Sequence, residues 1–208
     1  MRVYRFLSLK YGLLGLRERR LRISRFQELN DPFEFLAIEV EDEDFRTAFM
    51  TGREKAIGEN GLVCFSQNWN SPLQWAHYAE NHKGLCLGFD VPDRHTKKVE
   101  YIEERFPMDF EMNQDLVERL LTTKYAGWSY EQEYRAFVPL KEAEGKNYFI
   151  NFGPELDLKE IFVGANSSCT RATLKRSVGK LANSVLAYKV RPSHTKFEIV
   201  KATAEAMW

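Results

Sequence analysis

The chain has 208 residues, 44% hydrophobic, 13% aromatic and 29% charged, a balance that excludes disorder and fibrous repeats and suits one globular domain over 1–208. Thirty Lys and Arg against thirty Asp and Glu leave no net charge, which excludes capture of nucleic acid or anionic membrane by overall charge. The charge is uneven, at +6 over residues 1–30, −11 over 31–156 and +5 over 157–208, so a polyanion must be gripped locally.

In chain order, a strand is predicted at 3–6, an apolar-periodic helix at 11–17 and a strand at 21–24, followed by a loop whose Asn30-Asp31-Pro32 carries an Asx-Pro turn signal. A helix over 43–57 and a buried strand at 62–66 come next. The following helix has a strong start signal: Ser71 as N-cap, Pro72 at the first helical position and Gln74 completing a capping box, which puts Trp75, Tyr78, Ala79 and His82 on one face. Strands follow at 85–91 and 99–102, then a helix capped by Asn113 with Leu116, Val117, Leu120 and Leu121 inward, ending near Gly127. Strands at 134–140, 148–152 and 161–163, a helix over 170–182 and strands at 186–190 and 197–200 complete the chain. Many short strands that do not alternate one-for-one with helices point to an α+β arrangement.

Three cysteines leave one over from any pairing, and Cys64 and Cys86 sit in apolar runs, which suits a reducing compartment. With no signal-peptide pattern and no run of 18 apolar residues, the expectation is a cytoplasmic protein with no membrane partner. The sequence has no glycine-rich dinucleotide fingerprint, no phosphate-binding glycine loop and no Cys or His pairs at zinc spacing, so no metal is expected. His77 and His82 are five apart, where four is needed for two ligands on one helical face. A Cys64 or Cys86 nucleophile with His77 as base is a weak alternative.

The densest polar cluster is Trp128-Ser129-Tyr130-Glu131-Gln132-Glu133-Tyr134-Arg135. Extended, it places Glu131, Glu133 and Arg135 on one side, and two such carboxylates can stabilise a developing cation. The plain alternative is a surface edge strand with an ion pair to Arg135. On the first strand, Arg5 could grip a diphosphate and the Tyr4 ring could pack on a base. Ser66, at the end of the 62–66 strand, could orient a carboxylate or form a turn before Asn68.

The segments Leu29-Asn30-Asp31-Pro32-Phe33-Glu34, Cys64-Phe65-Ser66, Trp75-Ala76-His77-Tyr78-Ala79 with Gly84-Leu85-Cys86-Leu87-Gly88-Phe89, and Trp128-x-x-Glu131-x-Glu133-Tyr134-Arg135 resemble the signature of a bacterial and phage family known as domain of unknown function 2971, over roughly residues 3–140. More distantly, the order Arg, Ser, Glu-x-Glu resembles the ADP-ribosyltransferase superfamily. That resemblance implies a split pair of small, mostly antiparallel sheets with flanking helices, NAD as co-substrate, and a place among toxins or phage-defence effectors, with an antitoxin as partner in the toxin case. It further implies that Arg5 holds the NAD diphosphate or ribose, with Tyr4 or the Asn30-Asp31 loop as substitutes, and that Ser66 positions Glu133. Glu133 would support the oxocarbenium-like state as nicotinamide leaves, and Glu131 would face the acceptor.

Trp75, His77 and Tyr78 have no counterpart in that scheme; they either wall the nicotinamide pocket or pack the helix. The loop from Tyr125 to Tyr130 would recognise the target, through Trp128, Tyr130 and Arg135, with RNA or single-stranded DNA as the favoured acceptor and protein as the other. The competing class is a non-catalytic domain that senses a nucleotide or binds a protein or nucleic acid through the same pocket. A nuclease is a weaker third reading, because no acidic cluster has a two-metal layout.

Overall fold

The computed structural model describes residues 1–39, 41–44, 46–47, 49–51, 58–107, 114–203 and 206–207. In β4 (Leu85–Asp90) alternate side chains feed two cores: Leu85, Leu87 and Phe89 enter one, and Cys86 enters the other on the opposite face. The first core lies under α1 (Leu9–Glu18) and α4 (Arg171–Val178), which contribute Leu16, Leu174 and Val178. The second lies under α2 (Pro72–Tyr78) and gathers Phe6, Trp75, Phe162 and Tyr188.

Around β4 the sheet is built from β1 (Arg2–Leu7), β3 (Asn60–Ser66), β5 (Lys97–Lys98), β8 (Glu133–Pro139), β10 (Asp157–Val163), β11 (Leu186–Pro192) and β12 (Ile199–Lys201). Its order is β12-β11-β10-β4-β1-β3-β8-β5. The helix α4 carries the chain from β10 to its parallel neighbour β11, and the other pairings are antiparallel. Two ribbons stand beside the sheet, β2 (Arg20–Ile23) with β9 (Tyr148–Asn151), and β6 (Glu100–Ile102) parallel to β7 (Thr123–Tyr125). The helix α3 (Gln114–Leu121) precedes β7.

The domain mixes helices and strands in one unit, as expected, but builds them around one large sheet flanked by two two-stranded ribbons, where a split pair of small sheets is expected. The sheet is nevertheless pinched. β1 pairs with β4 at six positions and β3 pairs with β8 at seven, whereas β1 meets β3 at one, Tyr4 opposite Ser66. Five strands on one side and three on the other are therefore joined along a seam held by a single register position.

Local chemistry explains most boundaries. Ser71 caps α2 by accepting the Gln74 N–H at 3.4 Å, with Pro72 at the first position. The segment expected to be helical to Gly127 stops at Leu121, passes through β7, and becomes a 3-10 helix over Ala126–Glu131. The helix expected over 43–57 is present at 43–44, 46–47 and 49–51; 45, 48 and 52–57 lie outside the described residues, as does Asn113. After α2, Glu80, Asn81 and His82 all take left-handed backbone angles, a turn that brings His82 against Gly164, where a Cβ would lie 2.2 Å from the His82 carbonyl oxygen.

Trp75 has no exposed surface, meets Phe6 edge-on at 5.4 Å and donates its Nε1–H to the Trp69 carbonyl at 2.7 Å. It is core, so of the two readings of Trp75 the packing one holds and the pocket wall does not. Truncating so large a buried side chain leaves a cavity, so Trp75→Ala is expected to lose about 3–5 kcal/mol in urea denaturation. A loss below about 1 kcal/mol would contradict this packing.

Candidate functional site

The seam between β1 and β3 opens into a cleft of about 450 Å³, walled by Arg5, Ser66, Gln74, Tyr78, Glu131 and Glu133 among others, a size typical of small-molecule sites. Beyond the Tyr4–Ser66 position the two strands diverge. Arg5 spans the gap, its Nη1 donating to the Cys64 carbonyl at 2.5 Å in place of a ladder bond. The other guanidinium nitrogens of Arg5 have no protein partner among the described residues, and they border the cleft.

The floor is a knot of five buried charged groups. Arg135 has no exposed surface; its Nε donates to Glu133 at 2.9 Å, its Nη2 to Glu133 at 3.0 Å and to both oxygens of Glu34 at 2.8 Å, and its Nη1 to the Leu121 carbonyl. Lys124, also buried, reaches Glu131 at 2.6 Å and Glu133 and Glu34 at 3.3 Å each. Among the described residues, three carboxylates against two cations leave the knot formally one charge negative. Burial would raise Glu133, but Arg135 and Lys124 outweigh it and lower the group to about 2. At Glu34 burial wins over the same two cations, and the group is raised. Glu131 accepts the Tyr78 hydroxyl, which in turn accepts from Asn30 Nδ2 at 3.0 Å. Burial and then Glu131 push the Tyr78 phenol up, so it stays protonated.

Several expectations are corrected here. Gln132 takes a left-handed conformation, so Glu131 ends a 3-10 helix rather than sharing a strand with Glu133. The two carboxylates still converge, because Lys124 lies between them. Arg135 is sealed in the interior and cannot touch a target; nor is β8 an edge strand, because β5 covers it. Ser66 stands opposite Glu133 in register, yet its hydroxyl donates to the Asn68 carbonyl at 2.9 Å and accepts from Gln74 Nε2 at 3.0 Å. Its link to the acids therefore runs through Gln74, which also donates to the Glu131 carbonyl at 2.5 Å. Gln74 does not close the expected capping box, since its side-chain amide bonds Ser66 and the Glu131 carbonyl instead.

Tyr4 borders the cleft, but its hydroxyl lies 3.4 Å from Glu160, away from the knot. Asn30 lines the cleft, whereas Asp31 is buried and folds its own loop by accepting the Phe33 N–H at 2.9 Å. Tyr78 is a wall residue; His77 instead bonds Tyr130 on the outside at 2.9 Å. Trp128 is half-buried with its ring 5.0 Å from the Lys124 ammonium. Burial, then Glu133, holds the Cys64 thiol protonated, which removes it as a nucleophile. The sequence assigns Glu34, Gln74 and Lys124 no part in the site. Glu34 sits in the Asn-Asp-Pro-Phe-Glu loop and Gln74 was read as a cap, while nothing around Lys124 signals burial.

A second cavity of about 260 Å³ lies on the other side of Lys124, lined by Phe33, Ala37, Ile102, Arg105 and Tyr125, with Phe33 and Tyr125 exposed. Among the described residues, no group of three His, Cys, Asp or Glu could hold a metal ion; the oxygens of the three glutamates face Lys124, Arg135 and Tyr78. No described helix is long and apolar enough to cross a membrane. No family model, no curated protein and no solved structure matches the chain, so the resemblance in its motifs stands on those residues alone.

The lowered Glu133 stabilises the fold above its ordinary value of 4.5, and that stabilisation is lost as pH falls toward about 2. Glu34, raised, acts in the opposite sense and stabilises less as pH rises through its folded value. Glu133→Gln is therefore expected to flatten the acid limb of the stability curve between pH 4.5 and 2 and to cost about 3 kcal/mol or more at pH 7, because Arg135 loses a buried counter-ion. Denaturant melts of wild type and Glu133→Gln across that range check both, and parallel acid limbs would contradict the assignment.

Proposed function

We propose that the seam cleft binds NAD and transfers its ADP-ribose to an acceptor, with release of nicotinamide. The observation that carries this reading is the polarity of the cleft: a guanidinium, Arg5, on the β1 wall and, at the floor, a buried knot of three carboxylates and two cations, formally negative among the described residues. A dinucleotide needs this pairing. Its diphosphate is anionic, while the C1′ centre becomes cationic as the bond to nicotinamide breaks. The pinch at one register position supports kinship with the split sheets of the ADP-ribosyltransferase superfamily, and the quoted motifs support membership of the domain of unknown function 2971 family. A cytoplasmic location, and a toxin or phage-defence role with an antitoxin partner, belong to the same reading.

The geometry favours Glu131 over Glu133 as the carboxylate that meets the cation. Both oxygens of Glu133 are held by Arg135, with Lys124 beside one of them; Glu131 has a neutral phenol on one oxygen and Lys124 on the other. The less compensated carboxylate is the better partner for a developing positive charge. Glu133 then fixes Lys124 and Arg135 and is a positioning residue. In the transfer the C1′–nitrogen bond breaks and its electron pair leaves with nicotinamide. The acceptor's heteroatom forms the new bond to C1′, and its proton passes to Glu131 and on to solvent. The second cavity, with exposed Phe33 and Tyr125 and the Arg105 guanidinium 5.5 Å from the Phe33 ring, supports an acceptor with a flat ring, which favours a nucleic-acid base over a protein side chain. In the rival reading, a nucleotide sensor, the knot is structural and the bound nucleotide remains intact.

Nicotinamide release from NAD, with and without RNA or single-stranded DNA, separates the two. Wild type is expected to release nicotinamide, and Glu131→Gln to lose on the order of 10²-fold in rate while still binding NAD. NAD that binds a folded wild type and stays intact with every acceptor would replace the transferase reading by the sensor.

A further inference from the structure

Gln74, on the cleft wall, is 2% exposed as a residue, and its Oε1 has essentially no exposed surface. Its nitrogen is fully committed, to Ser66 Oγ at 3.0 Å and to the Glu131 carbonyl at 2.5 Å. The orientation is fixed by chemistry: a carbonyl oxygen only accepts, so the group facing Glu131 must be the NH₂. The Ser66 hydroxyl hydrogen is spent on the Asn68 carbonyl, so it cannot turn to serve Gln74 either. Gln74 Oε1 is consequently a buried acceptor with no donor among the described residues. Buried acceptors are ordinarily paired, and this one belongs to a residue that walls a small-molecule cleft.

We infer that Gln74 Oε1 receives an N–H from the ligand, namely the carboxamide NH₂ of the nicotinamide end of NAD; the inference rests on the NAD reading above. The placement favours that end of the dinucleotide. Through its nitrogen Gln74 is bonded to the main chain of Glu131, the residue assigned to the C1′ centre, and the group attached to C1′ is the nicotinamide. Neighbouring donors and acceptors agree, since Tyr78 and Glu131 already satisfy each other and offer no competing donor to Gln74. A ligand that presents a carboxylate in place of the amide brings a charged acceptor against Oε1, with no proton to share. Gln74 is thus a specificity-determining residue that separates an amide from an acid at the leaving group.

The test compares NAD with nicotinic acid adenine dinucleotide, which differs in that one group, measuring binding and base release with wild type and with Gln74→Met, a side chain of similar length lacking both the acceptor and the NH₂ that holds Ser66 and the Glu131 carbonyl. Wild type is expected to favour NAD by about 10²-fold or more in kcat/KM, and Gln74→Met to bring the two within a fewfold. Equal handling of the two dinucleotides by wild type overturns the inference and leaves the NAD reading standing. Failure of a folded wild type to bind either overturns both. If Gln74→Met does not fold, the wild-type comparison decides alone.

Discussion

A guanidinium with no exposed surface must have its N–H groups answered from within the protein, and Arg135 meets that requirement with Glu133, Glu34 and the carbonyl that ends α3. Those partners come from three separate parts of the chain. The demand therefore ties β8 to the 31–35 turn and to the helix before β7. Once Glu34 and Glu133 are gathered there, two carboxylates face one cation, and Lys124 is drawn into the interior to offset them, bringing Glu131 as a third acid. The negative floor of the cleft follows from one buried arginine and the ions needed to keep it there.

The second constraint is the seam. Strands β1 and β3 share a single register position, and a fully zipped sheet would have closed the space that the knot faces. Arg5 replaces a missing ladder contact and puts its charge at the mouth of the gap. The helix α2 then closes the wall with Gln74 and Tyr78, while Trp75, on the same helix, anchors it in the core. Packing and chemistry are thus divided along one short helix by its period.

Much of the fold was legible in the sequence because apolar alternation and capping chemistry are local. The strands at 62–66 and 85–91 and the Ser71-Pro72 start of α2 were readable from a few adjacent residues. The two-residue β5 and three-residue β7 were not, because strands so short leave no alternation, and the seam was not, because it depends on which strands fail to pair. In the site, Arg5, Ser66, Glu131 and Glu133 are indeed brought to one cleft, but their partners are set by distant residues. Arg135 reads locally as a surface partner of its neighbouring glutamates and is fully buried, because Glu34, about a hundred residues away, completes its shell. Lys124 carries no local sign of burial. Gln74 was visible as a helix-start residue, yet the same position serves the cleft once Ser66 and the Glu131 carbonyl lie within reach.

The most direct test of the seam as an NAD site is a crystal structure with an NAD analogue whose nicotinamide ribose carries a methylene in place of the ring oxygen, so that the glycosidic bond survives. Density for the diphosphate at Arg5, with the nicotinamide amide on Gln74 and C1′ nearer to Glu131 than to Glu133, is the expected result. An analogue that binds away from the seam, or that does not bind a folded protein at millimolar concentration, would contradict the assignment of the cleft.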